Sequence, residues 1–218
     1  MRAMRNLSLT IALSLSVAVP AALADPVRIL ALGDSLTAGY GLMEADGLVP
    51  QLNAWLAAQD ADVTVMNAGV SGDTSAGGLS RLGWALDDSG QGVVGILGGN
   101  DPLGGIAPGA TRANIAPVLQ EAQARGLPVL LVGMKAPGNF GPDYKAAFDA
   151  LYPELGAEYG AAVIDSYFGL LAPGEADPAA LAPHMQPDGI HPNAEGVKII
   201  VGNLGPHLID LAAKETAP

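Results

Sequence analysis

The sequence predicts an α/β protein whose parallel sheet is covered by helices on both faces. Three observations predict it. Short apolar runs alternate with helix-like stretches in a regular order. The apolar runs are mostly continuous, as expected of strands buried on both sides. The segments after three of them, Gly33–Thr37, Ser71–Thr74 and Gly98–Asp101, carry the polar and glycine-rich residues. Sheets of this kind bind ligands beyond the carboxyl ends of their strands.

The elements follow in order. Val27–Leu32 is apolar except for Arg28 and stops at Gly33-Asp34-Ser35, which predicts a first strand. Leu48–Gln59 places Leu48, Leu52, Trp55 and Leu56 near helical spacing. Val63–Met66 is a second strand, ended by Asn67-Ala68-Gly69, and Leu79–Leu86 is a helix after a glycine-rich stretch. Val93–Leu97 is a third strand. Arg112–Arg125 is a helix with Gly126 as its C-terminal stop. Val129–Val132 is a fourth strand, Asp143–Tyr159 a helix that must tolerate Pro153, and Ala162–Ile164 a short fifth strand. Ala194–Ala213 is a closing helix, with Asn193 as N-cap and a kink expected at Pro206.

Residues 1–24 read differently. Met1–Asn6 carries Arg2 and Arg5 and no acid, and Leu7–Val19 is uncharged and mostly apolar. Ala22-Leu23-Ala24 is the small-x-small pattern of signal-peptidase cleavage, which predicts an export leader cut after Ala24. Its apolar run falls short of the roughly 20 residues a spanning helix needs. Residues 25–218 are expected to form a single domain with a sizeable core.

Composition removes several function classes. Half of the chain is hydrophobic, which excludes a disordered polypeptide. It holds no cysteine, so thiol nucleophiles, disulfides and zinc–thiolate sites are excluded. The formal net charge is −12, and loss of Arg2 and Arg5 with the leader makes it more negative. Such a surface repels phosphate backbones and is not drawn to anionic lipid, so neither nucleic acid nor stable membrane insertion is expected.

Ser35 follows the first strand directly. Either it caps a helix, or it is a nucleophile awaiting a base. Thr37 breaks the Gly-x-Ser-x-Gly elbow, so that template does not apply. The chain has three histidines. His191 lies in Pro187-Asp188-Gly189-Ile190-His191-Pro192-Asn193, where a turn at Gly189 could bring Asp188 to the imidazole. The carboxylate would hold one ring nitrogen and leave the other to accept the Ser35 proton. The plainer alternative is a satisfied histidine at a helix entry. His184 could join Asp188 and His191 on a metal, but no further cluster completes such a site, so a loop position beside the site is expected. His207 reads as a residue of a helix face. Acyl transfer also needs oxyanion donors. Gly72 could bring its N–H close to a ligand and Asn100 could point its amide inward; simple turn geometry is the alternative for both loops. The glycine spacing matches neither a dinucleotide fingerprint nor a P-loop.

Taken together, Gly33-Asp34-Ser35-Leu36, Gly72, Asn100 and Asp188-x-x-His191 resemble, in order, the four blocks of the SGNH (GDSL) hydrolase family. The likeness extends over nearly all of residues 25–218 and is greatest to the branch of exported arylesterases and thioesterases. It implies a flavodoxin-like three-layer α/β/α sandwich with a five-stranded parallel sheet and a shallow, open site. It implies Ser35 as nucleophile, His191 as base and Asp188 as its orienter. The oxyanion hole would comprise the Ser35 and Gly72 N–H groups and the Asn100 side chain. It implies no cofactor, no metal, a monomer, and a periplasmic or secreted location. The implied substrates are small acyl esters and thioesters: aryl esters, acyl-CoA and lysophospholipids. A polysaccharide O-deacetylase using the same residues and a non-catalytic lipid-binding protein are the alternatives. The sparse aromatic residues argue against the first, and the presence of every block against the second.

Two positions depart from the family pattern. Ile96 stands where relatives carry Glu, and Gly104 where they carry Arg. If these form an ion pair in relatives, losing both is nearly neutral whereas restoring one leaves a lone charge. Ile96→Glu is then expected to lower stability and Gly104→Arg to restore it; a double-mutant cycle in urea measures the coupling.

Overall fold

The computed structural model describes residues 25–87, 89–173 and 178–215. The expected leader, residues 1–24, lies outside them. Five strands, β1 (Val27–Gly33), β2 (Val63–Gly69), β3 (Gly92–Ile96), β4 (Val129–Val132) and β5 (Ala162–Ile164), form one parallel sheet. Their order is β2-β1-β3-β4-β5. Seven helices accompany them: α1 (Ser35–Ala38), α2 (Leu48–Ala58), α3 (Ser75–Ala85), α4 (Asn100–Leu103), α5 (Pro108–Ala124), α6 (Pro142–Tyr159) and α7 (Ala194–Glu215).

Burial explains the sequence pattern. The central strand β3 is buried throughout, and β1 is buried except at Arg28, whereas the edge strands β2 and β5 are half exposed. Side chains alternate between the two faces of the sheet. Ile29, Ala31 and Val94 meet Leu52 and Leu56 of α2 and Ile200, Leu204 and Leu208 of α7. Leu30, Leu32, Val93 and Leu97 meet Leu82 and Leu86 of α3 and Val118 and Ala122 of α5. Helix α6 packs beside α5. The result is the α/β/α sandwich expected.

The predicted elements are all present, with boundaries moved for identifiable reasons. Helix α3 starts four residues earlier than periodicity suggests, at Ser75, because the Thr74 side chain caps it by accepting from Gly77 N. Helix α5 starts at Pro108, whose missing N–H costs nothing in a first turn. Asn193 caps α7 by accepting from Gly196 N at 2.9 Å. Helix α7 is assigned without a break through Pro206, where a kink was expected. The two four-residue helices α1 and α4 carry no amphipathic period and were not foreseen.

The register sets the position of everything functional. Gly33, the last residue of β1, pairs with Gly69 of β2 and with Ile96 of β3. Three strand ends are therefore level, and the loops beyond them open on one rim. Helix α1 sits directly on this rim because residue 33 lacks a side chain. A Cβ at Gly33 would lie 2.0 Å from Thr37 Oγ1 and 2.9 Å from the Ile96 carbonyl oxygen. Gly33→Ala is therefore expected to push α1 off the strand ends and to lower stability by about 1–3 kcal/mol, read by urea unfolding.

Candidate active site

The segment after β1 turns sharply. Asp34 is the N-cap of α1, its Oδ1 accepting from Leu36 N at 3.0 Å, and Ser35 is the first helical residue. Ser35 is nearly buried, at 8% exposure. Its hydroxyl reaches the loop before α7, where His191 Nε2 stands 2.8 Å from Ser35 Oγ. The other ring nitrogen, Nδ1, stands 2.7 Å from Asp188 Oδ2. The second carboxylate oxygen, Oδ1, accepts from the backbone N–H groups of Ile190 at 2.9 Å and His191 at 3.0 Å. These contacts, with the backbone N–H of His191 foremost, hold the Asp188 carboxyl down at about 2. The turn depends on Gly189, whose φ is +67°. The spacing Asp-x-x-His works because the chain folds back on its own carboxylate.

The loop after β2 brings Gly72 to the same rim. Its φ of +87° favours glycine through backbone conformation alone, since a Cβ there would meet nothing within 4 Å. Asn100, the first residue of α4, donates from Nδ2 to the Asp73 carbonyl oxygen at 2.8 Å. The same nitrogen stands 3.4 Å from Asp34 Oδ2. One amide thus links all three loops.

Three buried groups brace this arrangement, and motif reading did not find them in these roles. Arg81 of α3 donates from Nε to Asp73 Oδ2 and from Nη2 to the Gly33 carbonyl oxygen, both at 2.6 Å. Asp101, fully buried, accepts from Ser75 N at 2.8 Å, Ser75 Oγ at 2.5 Å and Thr111 Oγ1 at 2.7 Å. It ties α4 to the starts of α3 and α5. Asp34 is 2% exposed, and burial lifts its carboxyl to about 6 despite the opposing Leu36 N–H and the nearby His191. A lone cation in an apolar helix was the available signal for Arg81. Asp34 and Asp101 lay inside the motif segments, but their bracing role depends on partners from other helices.

Beside Ser35 lies a cleft of about 430 Å³ bounded by Asn100 and His191. Pro102, Leu103, Met134, Phe168, Met185 and Ile190 give it an apolar lining. His184 ends a 3₁₀ turn, Pro178–His184, and its carbonyl oxygen accepts from Asn193 N at 2.8 Å. His207 is exposed on α7. No group of three or more possible metal ligands occurs among the described residues. Of the two departing positions, Ile96 is fully buried in the apolar core, whereas Gly104 is exposed just beyond α4.

A parallel α/β/α sandwich with a Ser–His–Asp hydrogen-bond chain at its carboxyl rim is the architecture of a serine hydrolase. The comparisons with known proteins then give the family. Residues 31–199 match the GDSL-like lipase/acylhydrolase family, and the chain belongs to it. It is 39% identical over 181 residues to the esterase TesA of Pseudomonas aeruginosa, covering 83% of this chain and 87% of that protein. It is 36% identical over 202 residues to thioesterase 1/protease 1/lysophospholipase L1 of Escherichia coli, covering 91% and 86%. Among solved structures, it superposes on the SGNH-hydrolase family esterase AlinE4 with a TM-score of 0.69 at 34% identity, covering 90% of this chain and 100% of that one.

The raised Asp34 carboxyl has a consequence for stability. A group whose pKa rises on folding favours the folded state most when protonated. That contribution is complete below the ordinary value of 3.8 and lost as pH rises through about 6. Asp34→Asn keeps a capping oxygen and removes the buried charge. It is expected to stabilise the fold at pH 8 by up to about 3 kcal/mol, with the gap closing near pH 4. Urea titrations at the two pH values read it.

Proposed function

We propose that the chain hydrolyses acyl esters and thioesters through an acyl-enzyme on Ser35. The observation that carries this reading is the continuous chain from Ser35 Oγ to His191 Nε2 at 2.8 Å and from His191 Nδ1 to Asp188 at 2.7 Å. An isolated serine hydroxyl is a poor nucleophile, and a neutral imidazole in contact with it can take its proton as it attacks. Asp188, ionised across the working pH range, keeps the proton of the imidazole on Nδ1, so that Nε2 is the accepting nitrogen.

The steps then follow. Ser35 Oγ bonds to the acyl carbon while its proton passes to His191 Nε2, and the carbonyl oxygen takes the negative charge. The N–H groups of Ser35 and Gly72 and the amide of Asn100 are the donors for that charge. Collapse of the intermediate breaks the ester or thioester bond, and His191 returns its proton to the leaving oxygen or sulfur. Water next attacks the acyl-enzyme, with His191 accepting its proton and then giving it to Ser35. No step calls for a metal or cofactor.

The apolar cleft supports an acyl group as the recognised part of the substrate, because each buried methylene contributes about 0.8 kcal/mol. The relatives' names, esterase and thioesterase 1/protease 1/lysophospholipase L1, support the same bond types. Export through a leader ending near Ala24 belongs to this reading: Arg2, Arg5 and the apolar run after them support it. No helix among the described residues is long and apolar enough to cross a membrane.

Ser35→Ala and His191→Ala are each expected to reduce p-nitrophenyl butyrate hydrolysis by at least about 10³-fold, with thermal unfolding nearly unchanged. Labelling by a fluorophosphonate probe should disappear in both. Turnover by Ser35→Ala at near the parent rate would end this reading.

A further inference from the structure

Ser35 and His191 are separated by 156 residues yet meet at 2.8 Å. Each segment is short and lies at the surface of the rim, so contact at this distance requires a direct tie between them. Gln186 supplies four bonds at that junction. Its side-chain nitrogen Nε2 donates to the Tyr40 carbonyl oxygen at 2.8 Å and to the Pro192 carbonyl oxygen at 3.0 Å. Its backbone N donates to the His191 carbonyl oxygen at 2.7 Å, and its own carbonyl accepts from Gly189 N at 3.0 Å.

Tyr40 belongs to the serine segment, since its N–H donates to the Ser35 carbonyl oxygen at 3.1 Å. Both hydrogens of one amide are therefore used, one on the chain that carries Ser35 and one on the chain that carries His191. The fit is close: a Cβ at Gly41 would stand 2.2 Å from Gln186 Oε1. The Tyr40 ring in turn lies over the imidazole, with centroids 4.7 Å apart and planes tilted by 37°. It stands as a wall on one face of the ring, although it is itself 53% exposed.

We propose that Gln186 is a positioning residue that clamps the His191 loop to the Ser35 segment, with the Tyr40 ring holding the imidazole in its attacking orientation. The inference rests on Ser35 and His191 being the reacting pair. Gln186 touches neither the substrate nor the transferred proton. Its effect passes through the distance between oxygen and nitrogen, to which the rate is steep: a misplacement of about 1 Å can cost on the order of 10²-fold. A carboxylate at this position has no hydrogen to give and would face two carbonyl oxygens. Protonation would restore one donor.

The test compares Gln186→Glu, Gln186→Ala, Tyr40→Phe and Tyr40→Ala in the full chain, with p-nitrophenyl butyrate turnover, the rate of fluorophosphonate labelling and thermal unfolding. Both Gln186 variants are expected to lose kcat by roughly 10–100-fold while KM stays within about twofold. Labelling should slow in proportion. For Gln186→Glu, the ratio of its kcat to the parent's should rise as pH falls from 8 to 5, which a merely structural role would not produce. Tyr40→Phe should match the parent and Tyr40→Ala should lose kcat. Should Gln186→Ala fail to fold, Gln186→Met keeps the length without the donors and reads the same quantity. The proposal is overturned if Gln186→Glu keeps kcat within twofold, if only KM moves, or if the ratio is independent of pH. Loss of activity in Ser35→Ala and His191→Ala alongside such a result would overturn the clamp alone. Retained activity in those two would overturn the pair as well.

Discussion

Everything functional in this molecule depends on the hydrogen bond between Ser35 Oγ and His191 Nε2. It joins the first turn after β1 to the last loop before α7, so most of the chain must be in place before it can form. The level ends of β1, β2 and β3 supply the platform. Close packing of α1 on Gly33 sets how far Ser35 projects from it. The sheet is thus the ruler against which loops from opposite ends of the sequence are aligned. Such alignment suits catalysis, because a base that is already in contact needs no reorganisation when the nucleophile attacks.

The distribution of buried polar groups follows the same logic. The buried polar and charged side chains among the described residues are Asp34, Ser35, Thr37, Ser75, Arg81, Asp101 and Thr111. All lie at or next to the carboxyl rim, and the rest of the core is apolar. Burying a charge is unfavourable unless partners surround it. Here Asp101 has three donors, and Arg81 has a carboxylate and a carbonyl, leaving its Nη1 without a partner. These groups bind loops that have no regular hydrogen-bond ladder of their own. The molecule concentrates its unfavourable burial where the geometry of the site must be held, and not where stability alone would place it.

Much of this was legible in the sequence, for local reasons. Continuous apolar runs such as Val93–Leu97 can be strands buried on both faces, and the glycines after them can only be turns. Pro108 and Thr74 carried the true starts of two helices, but amphipathic spacing begins later and pulled both predictions inward. Ser35, Gly72, Asn100, Asp188 and His191 stood in ordered blocks, and they now converge on one rim. Arg81, Asp101 and Gln186 were harder to read. Each acts through partners supplied by other elements, and nothing in the residues beside them in the chain announces those partners.

The sequence by itself determined the strand–helix alternation, the parallel sheet, and the kinds of residue available for acyl chemistry. Those follow from periodicity, turn chemistry and the scarcity of histidine, all of which are properties of neighbours along the chain. Only the tertiary structure decided which nitrogen of His191 meets Ser35, which carbonyls Gln186 joins, and how Asp34 comes to hold its proton near neutral pH. Those are matters of distance and burial between segments remote in sequence. They are set by the register of the sheet and the packing of helices upon it, which no short stretch of residues encodes.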